Sequence, residues 1–226
     1  ATGRLSCAAY TAEKPMGVSF HTLPRETKNN IRSMFVAPEG HSFITVDYST
    51  MELRVLANLS RDEDMIQAFK SGEDLHSYTA SLLFNKKIDQ VTKEERLIGK
   101  TTSFLVVYGG GAFNLSELMN ISLGRAERVV STYRKVYPGV FRFMNHVHAF
   151  IEENKYAYTI FGRRRNLLDV DSSDKATHHR ALRQGFNFII QSTASDILLF
   201  SLLGIARTFT KPVSYTHLTL PTKRIV

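Results

Sequence analysis

Arg96, Lys100, Phe104 and Tyr108 recur at an interval of four in the stretch RLIGKTTSFLVVYG. An α-helix turns about 100° per residue, so each step of four overshoots one turn by only ~40° and the four side chains share a slowly drifting face. Two cations followed by two aromatics suit a ligand with phosphates at one end and a flat ring at the other. Taken singly, each residue also fits a plainer role, a solvated cation or a core aromatic of an amphipathic helix. Gly99-Lys100-Thr101 invites a phosphate-loop reading. That motif needs a glycine where this chain has Glu94, and a strand-to-helix turn where this segment reads as mid-helix, so it is rejected.

Asp47 and Glu52 lie in VDYSTMELR, where an apolar stretch gives way to a helical one. Asp47 is either a cap for the following helix or a ligand for a hard cation such as Mg2+, which takes one or two carboxylates together with water and phosphate oxygens. Arg183, Asn187 and Gln191 repeat the interval of four among Phe186, Phe188, Ile189 and Ile190. Guanidinium and amide donors there could touch the minor-groove acceptors that every base pair presents, checking duplex shape without reading sequence. Arg163, Arg164 and Arg165 form either a solvated charge run or a contact to a phosphate backbone. His76 alone is unremarkable, and His146 and His148 lack nearby ligands at zinc spacing.

These residues need helices, and a short sheet, to hold them. The run HSFITVDYS predicts a strand ending at Asp47, followed by helices over MELRVLANLS, 62–70, 76–84, 92–108, 125–136 and 141–154. A hairpin or tight turn on Gly162 is predicted within TIFGRRRNLL, and one long helix over 175–205 with Gly185 inside it. The pattern is strand-bearing flanks around a helical middle.

The 226 residues carry a net charge of +8, which favours a polyanionic partner. One cysteine, Cys7, cannot form an internal disulfide, so a reducing, cytoplasmic setting is the default. No unbroken apolar run reaches membrane-span length, and no membrane partner is expected. The chain opens at Ala1 as a fragment would. Residues 213–226, VSYTHLTLPTKRIV, have no helical or strand period and read like a translated sequencing-adapter string. They are expected to be non-native, and the basic character survives discounting Lys223 and Arg224.

Taken in order, TGRLS, VDYSTMELR, the Arg96-Lys100-Phe104-Tyr108-Gly109 series, GRRR and the Arg183-Asn187-Gln191 helix resemble the polymerase domain of family A DNA polymerases, from Thr2 to about Phe209. The resemblance implies an α+β fold, a palm with an antiparallel sheet plus a helical fingers subdomain, truncated before the last palm hairpin. It places the first part of the palm at 1–58, the fingers at 59–158 and the second part of the palm at 159–212. It implies template-directed DNA synthesis by a monomer, with primer-template DNA and dNTP as partners and two Mg2+ ions as cofactors.

Residue by residue, the resemblance makes Asp47 a metal ligand and Glu52 a gate against a ribose 2′ hydroxyl. His76, Arg96 and Lys100 would bind the triphosphate, with Lys100 also assisting the pyrophosphate leaving group. Phe104 would hold the sugar and base, and Tyr108 would guard the template base position. Arg4, Arg163, Arg183, Asn187 and Gln191 would contact DNA.

Three departures point to a divergent, viral-type member: the stretch after TGRLS lacks the usual asparagine-rich pattern, Thr50 stands where glutamine is common, and Leu105 where glycine is usual. The hairpin carrying a second metal-binding aspartate is expected after Gln191 and is missing. None of Asp169, Asp171, Asp174 or Asp196 sits in such a hairpin, so the piece itself is expected to be inactive. Two alternatives stand beside this reading. A single-subunit RNA polymerase shares the plan, although Glu52 argues against it, and a non-catalytic nucleic-acid-binding module would use the basic surface alone.

Overall fold

The computed structural model describes residues 31–43 and 46–208. Arg4, the opening through Pro24 and the tail 213–226 therefore lie outside the described residues. The chain divides into two compact units: Thr50–Leu199 forms one, and 31–43, 46–49 and 200–208 are the described residues of the other.

Eight α-helices and one two-stranded sheet are found among the described residues: α1 (Met51–Ser60), α2 (Glu63–Lys70), α3 (Leu75–Phe84), α4 (Lys93–Val107), α5 (Ala112–Met119), α6 (Leu123–Val136), α7 (Pro138–Asn154), β1 (Tyr156–Tyr158), β2 (Arg164–Asn166) and α8 (Lys175–Thr208). The architecture is α+β and mostly helical. α5 was not foreseen, because the three glycines at 109–111 read only as a stop. In fact Gly111 opens a new helix, its N–H donating to Asn114 Oδ1 at 3.3 Å.

Local chemistry sets most boundaries. Thr92 and Glu95 form a reciprocal capping box at the start of α4: Glu95 N–H donates to Thr92 Oγ1 at 3.2 Å and Thr92 N–H to Glu95 Oε2 at 3.0 Å. Pro138 opens α7, where its missing N–H costs nothing. Asp62 caps α2 through Met65 N–H (3.2 Å) and also accepts Gly139 N–H at the start of α7 (2.8 Å). The buried Asp62 carboxylate therefore finishes two helices at once.

The main core gathers Leu53 and Leu56 of α1, Met65 of α2, Tyr133 of α6, Val140 and Ile151 of α7, and Phe186, Phe188 and Ile190 of α8. A smaller cluster, Ile98, Leu115, Ala126 and Val129, joins α4, α5 and α6. Averaged over eighteen residues, α8 is apolar enough to cross a membrane by length and composition. That corrects the expectation drawn from unbroken runs, since an average tolerates Ser192 and Thr193. Phe186, Phe188 and Ile190 nevertheless occupy the core, as in an interior helix.

The hairpin lies slightly upstream of its predicted place. β1 and β2 pair antiparallel with Tyr156 opposite Asn166 and Tyr158 opposite Arg164, and the turn closes through Gly162 N–H to Thr159 C=O at 2.9 Å. The strand predicted for HSFITVDYS is a correction: 41–43 and 46–49 are not strand, and Ile44 and Thr45 lie outside the described residues. A strand needs a ladder partner for its N–H and C=O groups. Among the described residues β1 and β2 alone pair.

Candidate functional site

The site is built on the packing of α3 against α4. A Cβ at Gly99 would lie 2.9 Å from the His76 carbonyl oxygen and 3.1 Å from Ala80 N, so only glycine lets the two backbones approach this closely. That approach sets His76, on the first turn of α3, against the α4 face. Its ring lies 5.9 Å from that of Phe104, tilted by 48°.

The α4 face itself is as the spacing predicts. Arg96, Lys100, Phe104 and Tyr108 are all half-buried, beside the buried ridge of Ile98, Thr102, Ser103 and Val106. Arg96 is held bidentately by Asp74, with Nε to Oδ2 and Nη2 to Oδ1 both 2.8 Å. Tyr108 donates to Glu52 Oε2 at 3.1 Å, joining the end of α4 to the first turn of α1. At Gly109, φ is +71° and a Cβ would lie 2.5 Å from Arg183 Cγ. The stem of Arg183 on α8 thus rests on the end of α4.

Glu52, His76, Arg96, Lys100, Phe104, Tyr108 and Arg183 are therefore brought together around one helix. On α8, Arg183 is exposed, Asn187 half-buried and Gln191 buried, and Asn187 Oδ1 is buried without a hydrogen-bond partner. Arg163 is engaged by the buried Asp196, Nε to Oδ1 at 3.0 Å. Arg165 donates to Gln184 at 3.0 Å, and Arg164 lies over the Tyr156 ring at 3.7 Å. Each of the three arginines thus has a partner within the chain. Asp47 belongs to the other unit and is exposed. It does not cap α1, whose N-cap is Thr50 with no side-chain cap hydrogen bond.

Two partners escaped sequence reading. Asp74 carries the local signal of a cap, an acid just before a helix with Ser77 three residues on, and it does accept from Ser77 N–H (2.9 Å) and Oγ (2.8 Å). Its pairing with Arg96 spans 22 residues and has no local signature. Burial pushes the Asp74 carboxyl up, but the hydrogen bonds from Arg96 and Ser77 outweigh it and hold its pKa down at about 2. Asp196 was legible in principle, since a carboxylate in an apolar helix demands a cation.

Mg2+ asks for carboxylate and phosphate oxygens, and Asp47 has that chemistry. Among the described residues, however, no group of three or more His, Cys, Asp or Glu side chains could hold an ion. Asp171 is paired with Lys155, Asp174 caps the start of α8 through Thr177, and Asp196 binds Arg163.

The sequence model described as DNA polymerase family A matches residues 1–221. The chain belongs to DNA polymerase family A. A DNA polymerase I of Treponema pallidum is 39% identical over 181 residues, 80% of this chain and 18% of that protein. One from Chloroflexus aurantiacus is 36% identical over 222 residues, 97% of this chain and 23% of that protein. The chain therefore spans about a fifth of the length of these curated relatives. Among solved structures, the POL domain of Pol1 from M. smegmatis, in complex with DNA primer-template and dNTP, superposes with a TM-score of 0.81 at 34% identity, covering 92% of this chain and 36% of that one. The family A fold thus accounts for the helical packing described above.

Proposed function

We propose that the protein to which these 226 residues belong performs template-directed DNA synthesis, transferring a nucleotidyl group from dNTP to a primer 3′ hydroxyl, with α4 as the surface along which the nucleotide lies. The observation that carries this reading is the half-buried line Arg96, Lys100, Phe104, Tyr108, met at its middle by His76 and at its end by Glu52. Membership of the family, and a neighbour solved with DNA primer-template and dNTP, support it.

In this reading Arg96 and Lys100 neutralise the triphosphate and His76 contacts it, and Lys100 also offsets the charge that develops on the departing pyrophosphate. Phe104 packs against the sugar and base. The Tyr108 hydroxyl donates to Glu52 at 3.1 Å, where the side chain would sterically exclude a ribose 2′ hydroxyl. Arg183, Asn187 and Gln191 contact the primer-template, with Arg163 and Arg4 on its backbone. Bound Mg2+, with Asp47 as one ligand, would polarise the phosphoryl oxygens and lower the pKa of the attacking hydroxyl. Palm and fingers divide at 58/59 and 158/159, and the protein works as a monomer in the cytoplasm.

One experiment tests the reading. The matching segment of a DNA polymerase I relative is replaced by this chain, and primer extension is measured with dNTPs and rNTPs. Extension that selects dNTPs is expected and is lost with Lys100→Ala. A folded chimaera that binds DNA but extends with neither substrate would leave only a binding module. The 226 residues alone should not extend a primer, for want of a second metal-binding carboxylate, and robust extension by the purified chain would refute that part.

A further inference from the structure

Asp74 does two jobs with one carboxylate. Oδ2 accepts from Ser77 N–H and Oγ, closing the first turn of α3, and from Arg96 Nε, while Oδ1 accepts from Arg96 Nη2. α3 carries His76 one residue into the helix, and α4 carries Arg96. The same oxygens therefore tie the backbone that positions His76 to the guanidinium of Arg96.

The pair is half-exposed, with 43% of each side chain accessible. An ion pair so exposed adds little stability. What a bidentate pair does supply is direction, because both N–H vectors of one guanidinium edge are fixed at once. Asp74 takes two of the five N–H donors of Arg96, on the Nε/Nη2 edge. The two donors of Nη1 and the second of Nη2 stay available on the other edges. A guanidinium can therefore keep its carboxylate and still offer a fork to a phosphate.

We propose that Asp74 is a positioning residue for the nucleotide site, locking Arg96 by one edge so that its remaining donors stand ready for the triphosphate. The inference rests on the nucleotide reading of α4 given above. Its alternative is that Asp74 only caps α3, and a third possibility is that Asp74 competes with phosphate for Arg96.

The test uses the full 226-residue chain, dATP and inorganic tripolyphosphate as probes, and two variants. Asp74→Asn and Asp74→Ser both keep a good capping side chain, so α3 is expected to remain formed. Circular dichroism and thermal melting check that. Freeing a side chain that must be reordered on binding costs an affinity factor of about 2 to 12. Both variants are expected to weaken dATP and tripolyphosphate by that factor, and the Arg96 Nε–Hε resonance, expected to exchange slowly in the parent because it is hydrogen-bonded to Asp74, should broaden or vanish.

In an Arg96→Ala background, Asp74→Asn should change nothing further. Equal weakening with and without Arg96 would assign the effect to the cap and overturn the proposal. Tighter binding by Asp74→Asn would overturn it in favour of competition. If the parent binds neither probe, the nucleotide reading of α4 falls and takes this inference with it. If the parent binds and Arg96→Ala weakens binding while both Asp74 variants bind normally, the inference alone falls.

Discussion

The same interval of four gives opposite results on two helices. On α4 it keeps Arg96, Lys100, Phe104 and Tyr108 at one half-buried level, whereas on α8 it carries Arg183, Asn187 and Gln191 from exposed to buried. α4 packs its buried ridge on one side and leaves the neighbouring face open, so the drift of the helix does not sink the row. Around Gln191 every residue from Ile190 to Asp196 is buried, so any row that reaches that turn ends inside. Spacing sets which residues share a face, and packing decides whether that face meets a ligand.

The comparison breaks first at the α8 core. Phe186→Ala removes a ring that is 1% exposed and should cost about 3–5 kcal/mol in urea unfolding. A loss near zero would mean that α8 is not held by its apolar neighbours. Gly99→Ala comes next: the new Cβ meets backbone atoms of His76 and Ala80, which cannot rotate aside, and about 1–3 kcal/mol should be lost together with nucleotide binding. Retained affinity in that variant would show that the close approach of α3 and α4 is not what sets the site.

Acid should separate the two regions. His148 of α7 lies against Phe186, and burial lowers its pKa, opposed by Glu152 and assisted by His178 and His179 of α8. The unfolded chain then takes up the proton more readily, so this contribution to stability is present above about pH 6.5 and is lost as pH falls through the lower folded value. His148→Leu should flatten the melting temperature between pH 7.5 and 5.5, and an unchanged slope would exclude His148 as its source. Beside α4, at the start of α3, the Asp74 carboxyl is depressed, and its contribution is kept above its ordinary 3.8 and lost on the way down to about 2. The smallest effect on stability belongs to Arg96→Ala, within about 1 kcal/mol because the pair is exposed. Its signature is weakened dATP binding measured by titration, and a variant that binds normally would remove Arg96 from the site.

All the α-helices but α5 were legible because their signals are local. A periodic apolar face, Thr92 with Glu95, Pro138, and Gly109 after Tyr108 each act within a few residues. The α4 face was legible for the same reason, and so was its partnership with Glu52 and His76 through resemblance. What stayed hidden was long-range. Asp74 with Arg96, Asp196 with Arg163, and the stem of Arg183 on Gly109 are contacts that only the folded chain creates. The strand predicted at HSFITVDYS shows the converse error, β-branched content read without a ladder partner to accept it.

Asp62 carries one more consequence. Its buried carboxylate serves Met65 and Gly139 together, across 77 residues of sequence. The start of α2 is therefore not complete until α7 has docked, and opening either helix leaves the same carboxylate half-satisfied. The Met65 and Gly139 amides should report one common opening free energy in hydrogen exchange, so that two helices distant in sequence behave as a single unit of cooperative opening.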